Sequence, residues 1–191
     1  MRRPPWPLVG VGALFFGPLI VAMLLYAGRS ILGDFAQLPN PDRELIANPP
    51  ELPLIALVQA DGSTLDPAWS RSRWSLIYAK MPTCDGQCTA ALARLNQVYL
   101  ALGGERDRVQ LVFLAPASEV GTNNAAEFLI GILDSPEGAE LVSLFRPERL
   151  RDGRIFVVDP LGNVILSYPA DADQSRLLQD VERLLDVSRV G

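Results

Sequence analysis

Hydrophobic and polar positions divide the chain into parts of different character. Between Arg3 and Arg29 no residue is charged, and Trp6, Leu8, Val9, Leu14, Phe15, Phe16, Leu19, Ile20, Val21, Leu24, Leu25 and Tyr26 make a nearly continuous apolar run. A helix rising about 1.5 Å per residue crosses a hydrocarbon core of about 30 Å over such a length. The run predicts one transmembrane helix over residues 6–28, with Trp6 and Tyr26 at the headgroup levels and Pro18 as a kink. A cleaved signal peptide fits less well, because the run exceeds a signal core and Ala27-Gly28 follow bulky Leu25 and Tyr26. Residues 29–53 hold Pro39, Pro41, Pro49, Pro50 and Pro53 among polar neighbours, a composition that predicts an extended spacer.

From residue 54 the pattern alternates between the periods of strands and helices. Leu54 to Gln59 predicts a short strand ended by Asp61-Gly62, and Trp74 to Ala79, apolar on both faces, predicts a central strand. Leu92, Leu95, Tyr99 and Leu102 recur at helical spacing from Gln87 until Gly103-Gly104. Val109 to Ala115 predicts another buried strand. Residues 118–147, with Phe128, Leu129, Ile132 and Leu133, predict one or two short helices, one of them started by Ser135-Pro136-Glu137. Arg154 to Val158 and Val164 to Tyr168 flank Asp159-Pro160-Leu161-Gly162 and predict a hairpin. A last amphipathic helix buries Leu177, Val181, Leu184 and Leu185. This order of elements predicts an α/β, thioredoxin-like fold over 54–191, a central mixed sheet flanked by helices, preceded by one transmembrane helix.

Charge sets the orientation and removes whole function classes. Arg2 and Arg3 against Arg29 place residues 1–5 in the cytoplasm and the domain outside, in the periplasm of a Gram-negative cell. From residue 34 on, all 22 acidic and 14 of the 17 basic residues remain, a net charge of −8, which argues against nucleic-acid binding. The chain has no His and Lys80 is its only Lys, so Ser-His-Asp, Cys-His and His-zinc chemistry are excluded. Arg146, Arg149, Arg151 and Arg154 form a local basic cluster that reads either as a docking patch for an acidic partner or as a solvated loop.

The candidate chemistry is the Cys-x-x-x-Cys pair, Cys84 and Cys88, after a central strand and at the opening of a helix. Unpaired amides and the helix dipole there would favour a thiolate at Cys84, while Asp85 opposes it. In a regular helix the two Cβ atoms would lie about 5–6 Å apart, too far for a disulfide, so the first turn must open, which Gly86 would permit. The pair is catalytic in thiol-disulfide exchange, or a ligand pair, or an inert or structural one, since cysteine is also a common core residue. No cofactor follows from the residues themselves.

The stretch from Trp74-Ser-Leu-Ile-Tyr to Cys84-Asp-Gly-Gln-Cys88, with Ile155-Phe-Val-Val-Asp159-Pro-Leu-Gly162 later, resembles the Sco/SenC family of cytochrome oxidase assembly proteins over most of residues 54–188. The resemblance implies a membrane-anchored thioredoxin fold whose Cys-x-x-x-Cys pair, with a distant His, binds copper and exchanges thiol and disulfide. Cys84 and Cys88 match the family cysteines. The family His falls near Arg151, where this chain has none to supply, and Met81 is the nearest soft substitute. An Arg there would instead favour a thiolate, and no proline precedes Ile155 where thioredoxins place a cis-proline. Three functions follow as expectations: a redox assembly factor acting on an oxidase subunit or copper chaperone, a Cu(I) chaperone using two thiolates, or an assembly scaffold with a structural disulfide. The implied location is the inner (cytoplasmic) membrane of a bacterium.

Overall fold

The computed structural model describes residues 42–59, 61–120 and 127–188, together with Phe16 and Met23, each helical and exposed. The chain divides into two compact units, Met1–Asn40 and Pro41–Gly191. The expected span over residues 6–28 falls almost wholly outside the described residues. Among those described, no helix is long and apolar enough to cross a membrane.

The second unit is built on a six-stranded mixed sheet. Its strands are β1 (Glu44–Leu45), β2 (Trp74–Ala79), β3 (Val109–Ala115), β4 (Phe128–Ile132), β5 (Arg154–Val158) and β6 (Val164–Pro169). They lie in the order β1-β6-β5-β2-β3-β4, with β2, β3 and β4 mutually parallel and β5, β6 and β1 antiparallel to their neighbours. Every residue of β2 is buried, as expected for a central strand covered on both faces. Leu76 and Tyr78 point to one face and join the core built with Leu92, Leu95 and Val98 of α1 (Gly86–Ala101) and Leu177, Val181 and Leu185 of α4 (Gln174–Val187). Ile77 and Ala79 point to the other, against Leu141 and Phe145 of α2 (Gly138–Phe145) and Leu150 of α3 (Pro147–Asp152). The patterns that predicted these elements are a continuous apolar run for β2 and β3, buried on both faces, and one apolar stripe for α1 and α4.

Three expectations are corrected. Phe128 to Ile132 is a strand rather than helix, paired parallel with β3 from Leu111↔Phe128 to Ala115↔Ile132. Its apolar run is too short for periodicity to separate strand from helix, and only the open edge of β3 selects the strand. Gly131 allows this edge to be covered, since a Cβ there would lie 2.8 Å from both Leu114 and Leu57 side chains. Leu54–Gln59 forms no strand of the sheet: Val58 makes an isolated bridge to Thr64, and its carbonyl accepts the Ile132 amide at 2.9 Å. The third concerns the spacer. Its end is packed, with β1 on the sheet edge, Leu52 fully buried and the Leu52 amide donating to Gly162 O at 2.8 Å. Glu44 links this segment to the rest of the domain, binding Arg149 at 2.7 Å and Arg154 at 2.6 Å. Two members of the basic cluster are thereby used internally.

Candidate functional site

The parallel pair β2–β3 brings the end of β2 and the start of α1 to one edge of the sheet, and the two cysteines lie there. Cys84 and Cys88 form a disulfide with their Cα atoms 5.1 Å apart. Cys88 is fully buried in the α1–α4 core, while Cys84 is half-buried and packs against the same core. Of the two cysteines, Cys84 is the one with surface open to a second molecule.

Helix α1 begins at Gly86 with Asp85 as its N-cap in extended conformation, so Cys84 precedes the helix and only Cys88 belongs to its first turn. That is how a spacing of four closes a disulfide. Gly86 is not the reason: it holds an ordinary backbone angle and its missing Cβ would meet open space. The cap, which any residue of extended backbone could form and Asp forms well, opens the turn.

The expected free amides are occupied. Cys88 N–H donates to Asp85 Oδ1 at 3.0 Å, and Cys84 N–H donates to Glu119 Oε2 at 2.9 Å. Glu119 comes from a single 3₁₀ turn, Ala117–Glu119, that follows β3. Asp85 Oδ2 faces Lys80 Nζ at 3.5 Å, and Lys80, just past the end of β2, is buried although it is the only lysine of the chain. The hydrogen bond from Cys88 holds the Asp85 carboxyl below its ordinary range, opposed by partial desolvation and helped by the charge of Lys80.

Beneath this lies Tyr78, fully buried, its hydroxyl without a hydrogen-bond partner among the described residues. Burial pushes its phenol above the ordinary range, the charge of Asp85 acts in the same direction, and Arg94 opposes both. Gly153 closes over it at φ +73°, where any Cβ would collide with the Tyr78 hydroxyl and approach Lys80 Cδ to 3.0 Å. Beside Gln87 a cavity of about 490 Å³ opens between Asp152, Gly153, Arg154 and Ala170.

The residues expected around the pair are placed differently. Arg151 is exposed on α3, and the cation brought toward the disulfide is Lys80. Met81 packs against the core on the opposite face from the one Cys84 joins, and so fills a gap there. Glu119 had no signal in the sequence, being 35 residues from Cys84 and joined to it only by the fold. Lys80 had one, as a lone lysine ending the most apolar strand.

A copper site of the kind implied by the resemblance does not fit these residues. The chain has no His, and among the described residues no group of three His, Cys, Asp or Glu could hold a metal ion. Cys84 and Cys88 would supply two sulfur ligands when reduced, without the third that the resemblance implies, and Lys80 places a cation nearby.

Fold and site together define a thioredoxin-like domain with a disulfide at a strand-to-helix junction. The chain belongs to the family described as transmembrane-like, thioredoxin-like, C-terminal domain, which matches residues 74–188. The expected likeness to Sco proteins holds at the level of the fold. Apo Sco1 from Thermus thermophilus superposes with a TM-score of 0.58 at 20% identity, covering 73% of this chain and 94% of that one. Copper-bound yeast Sco1 gives 0.61 at 14%, over 75% and 96%. A putative thiol:disulfide interchange protein, DsbE from Chlorobium tepidum, gives 0.53 at 18%, over 73% and 99%. No curated protein matches the chain by sequence.

Proposed function

We propose that this protein is a thiol-disulfide exchange factor, anchored in the bacterial cytoplasmic membrane by residues 6–28 with its domain outside, that assists cytochrome c oxidase assembly. One observation carries the exchange reading: a closed Cys84–Cys88 disulfide in which Cys84 is only partly buried and Cys88 fully buried. In the reduced protein the Cys84 thiolate attacks one sulfur of a partner disulfide, forming a mixed disulfide and releasing a partner thiolate. Cys88 then loses its proton, attacks Cys84 Sγ and releases the second partner thiolate. The partner gains two electrons and two protons, and the protein ends in the disulfide state described above. A dithiol donor must reduce it for the next turnover.

The anchor rests on the uncharged apolar run and agrees with the description of the family. The oxidase assignment rests on the resemblance to Sco proteins; an apo-oxidase subunit or a copper chaperone, whose thiols must be reduced before metal loading, is the partner of suitable chemistry.

The test is equilibration of the full-length protein across a glutathione or dithiothreitol series, read by thiol alkylation and mass. A reversible two-electron transition, followed by capture of a partner on Cys84 in a Cys88→Ser variant, is the expected result. A disulfide that opens only in denaturant would mean a structural clip and a scaffold, and replacing both cysteines by Ser would then leave oxidase levels unchanged.

A further inference from the structure

A helix N-terminus ordinarily lends its amides to a thiolate. Here the amides of both cysteines are committed to carboxylates, Cys84 to Glu119 and Cys88 to Asp85. Asp85 is answered by Lys80 at 3.5 Å. Glu119 reaches the site from a different element, half-buried, and its oxygen lies 2.9 Å from the Cys84 nitrogen, a short side chain away from Sγ. A thiolate formed at Cys84 must coexist with that negative charge.

Among the described residues, other charged and titratable groups also stand around the pair. Lys80 at the end of β2 faces Asp85 at the cap, and Tyr78 and Arg94 lie deeper, with Arg94 donating to Ala170 O. Across the cavity from Gln87 stand Glu148, Asp152 and Asp171, together with Arg149 and Arg154, which are held by Glu44.

We propose that Glu119 is a positioning residue for Cys84: it fixes the cysteine through its amide and, by its charge, restrains the sulfur from becoming a thiolate. This deepens the exchange reading and rests on it for its role. A pair whose attacking thiol has a carboxylate beside it lacks the strong thiolate stabilisation that marks strongly oxidising disulfides, which suits its dithiol form to the donor role in the exchange reading.

The experiment uses the full-length Cys88→Ser variant, in which Cys84 is a lone thiol whether or not the native pair exchanges. Alkylation of Cys84 by iodoacetamide is followed against pH. Glu119→Gln keeps an oxygen to accept the Cys84 amide but removes the charge, so the profile moves to lower pH. A tenfold gain in thiolate, offset by its lower nucleophilicity, makes alkylation at neutral pH about threefold faster. Glu119→Asp, which keeps the charge, stays near the parent, and Lys80→Gln moves the profile to higher pH. Superposition of the Glu119→Gln profile on the parent would overturn the proposal, as would Glu119→Asp or Lys80→Gln shifting the same way as Glu119→Gln. Failure of the native pair to exchange with glutathione is a separate result, which would remove the exchange reading and leave the control of Cys84 standing.

Discussion

Tyr78 carries its hydroxyl into the core without a partner among the described residues, and Gly153 is the residue that makes room for it. A buried hydroxyl that makes no hydrogen bond is a cost. Tyr78→Phe should therefore be neutral or stabilising by up to about 1 kcal/mol in chemical denaturation. Gly153→Ala should destabilise by about 1–3 kcal/mol from its backbone angle alone, with the collision added. The double variant Tyr78→Phe with Gly153→Ala should recover the collision and keep the backbone penalty, and full additivity of the two changes would show that hydroxyl and glycine do not interact. Asp85 makes a different prediction. Its carboxyl is held below its ordinary value of 3.8 in the folded state, mainly by the Cys88 amide. A lowered folded value means stability that is present above the ordinary carboxylate range and lost as pH falls through the lowered one. Asp85→Asn keeps the cap, so its unfolding midpoint should fall less steeply than that of the wild type below about pH 4.

Strand β1 is only two residues long and gains its place from side chains rather than from its ladder. Glu44 joins Arg149 of α3 and Arg154 of β5, and Arg43 joins Asp180 of α4 at 2.7 Å, so a short edge segment is tied to both faces of the sheet. The Glu44 carboxyl is held below its ordinary value chiefly by the Arg149 hydrogen bond, with both guanidinium charges adding to it. Glu44→Gln should loosen this edge locally. The Ile46 amide, which donates to Ile165 O at 3.1 Å, should then exchange with solvent about tenfold faster, while amides of β2 and β3 keep their protection. Equal exchange at Ile46 in both proteins would mean that these half-exposed ion pairs add nothing to holding the edge. The misread strand β4 belongs to the same argument. Phe128-Leu129-Ile130-Gly131-Ile132 satisfies either period over so few residues, and the choice was made by β3, which had an unpaired edge to fill.

The disulfide closes a loop of only a few residues, and the core around it is continuous with α1 and α4. Loop-closure entropy for so short a loop is worth about 2 kcal/mol. Reduction should lower the unfolding free energy by about that amount and leave the far-ultraviolet spectrum unchanged, because Cys88 stays buried against Leu92 and Leu95 as a thiol. A reduced protein that lost its secondary structure would show instead that the crosslink is required for the fold. The cysteines themselves were legible from their spacing and their place between a strand and a helix. Their surroundings were not, since Glu119 and Gly153 are distant in sequence and reach the site only because β3 and β5 flank β2.

What the sequence determined by itself is whatever depends on local period and composition: β2, β3, the β5–β6 hairpin, helices α1 and α4, the cysteine pair and the absence of histidine chemistry. Each of these is specified by neighbours within a few residues, through apolar spacing, caps or turn residues. The tertiary structure decided which edge β4 and β1 would cover, which cation would stand by the disulfide, and which carboxylates would take the amides of its two cysteines. Those outcomes depend on contacts between residues far apart in the chain, and no local pattern encodes which distant partner will be close enough to bond.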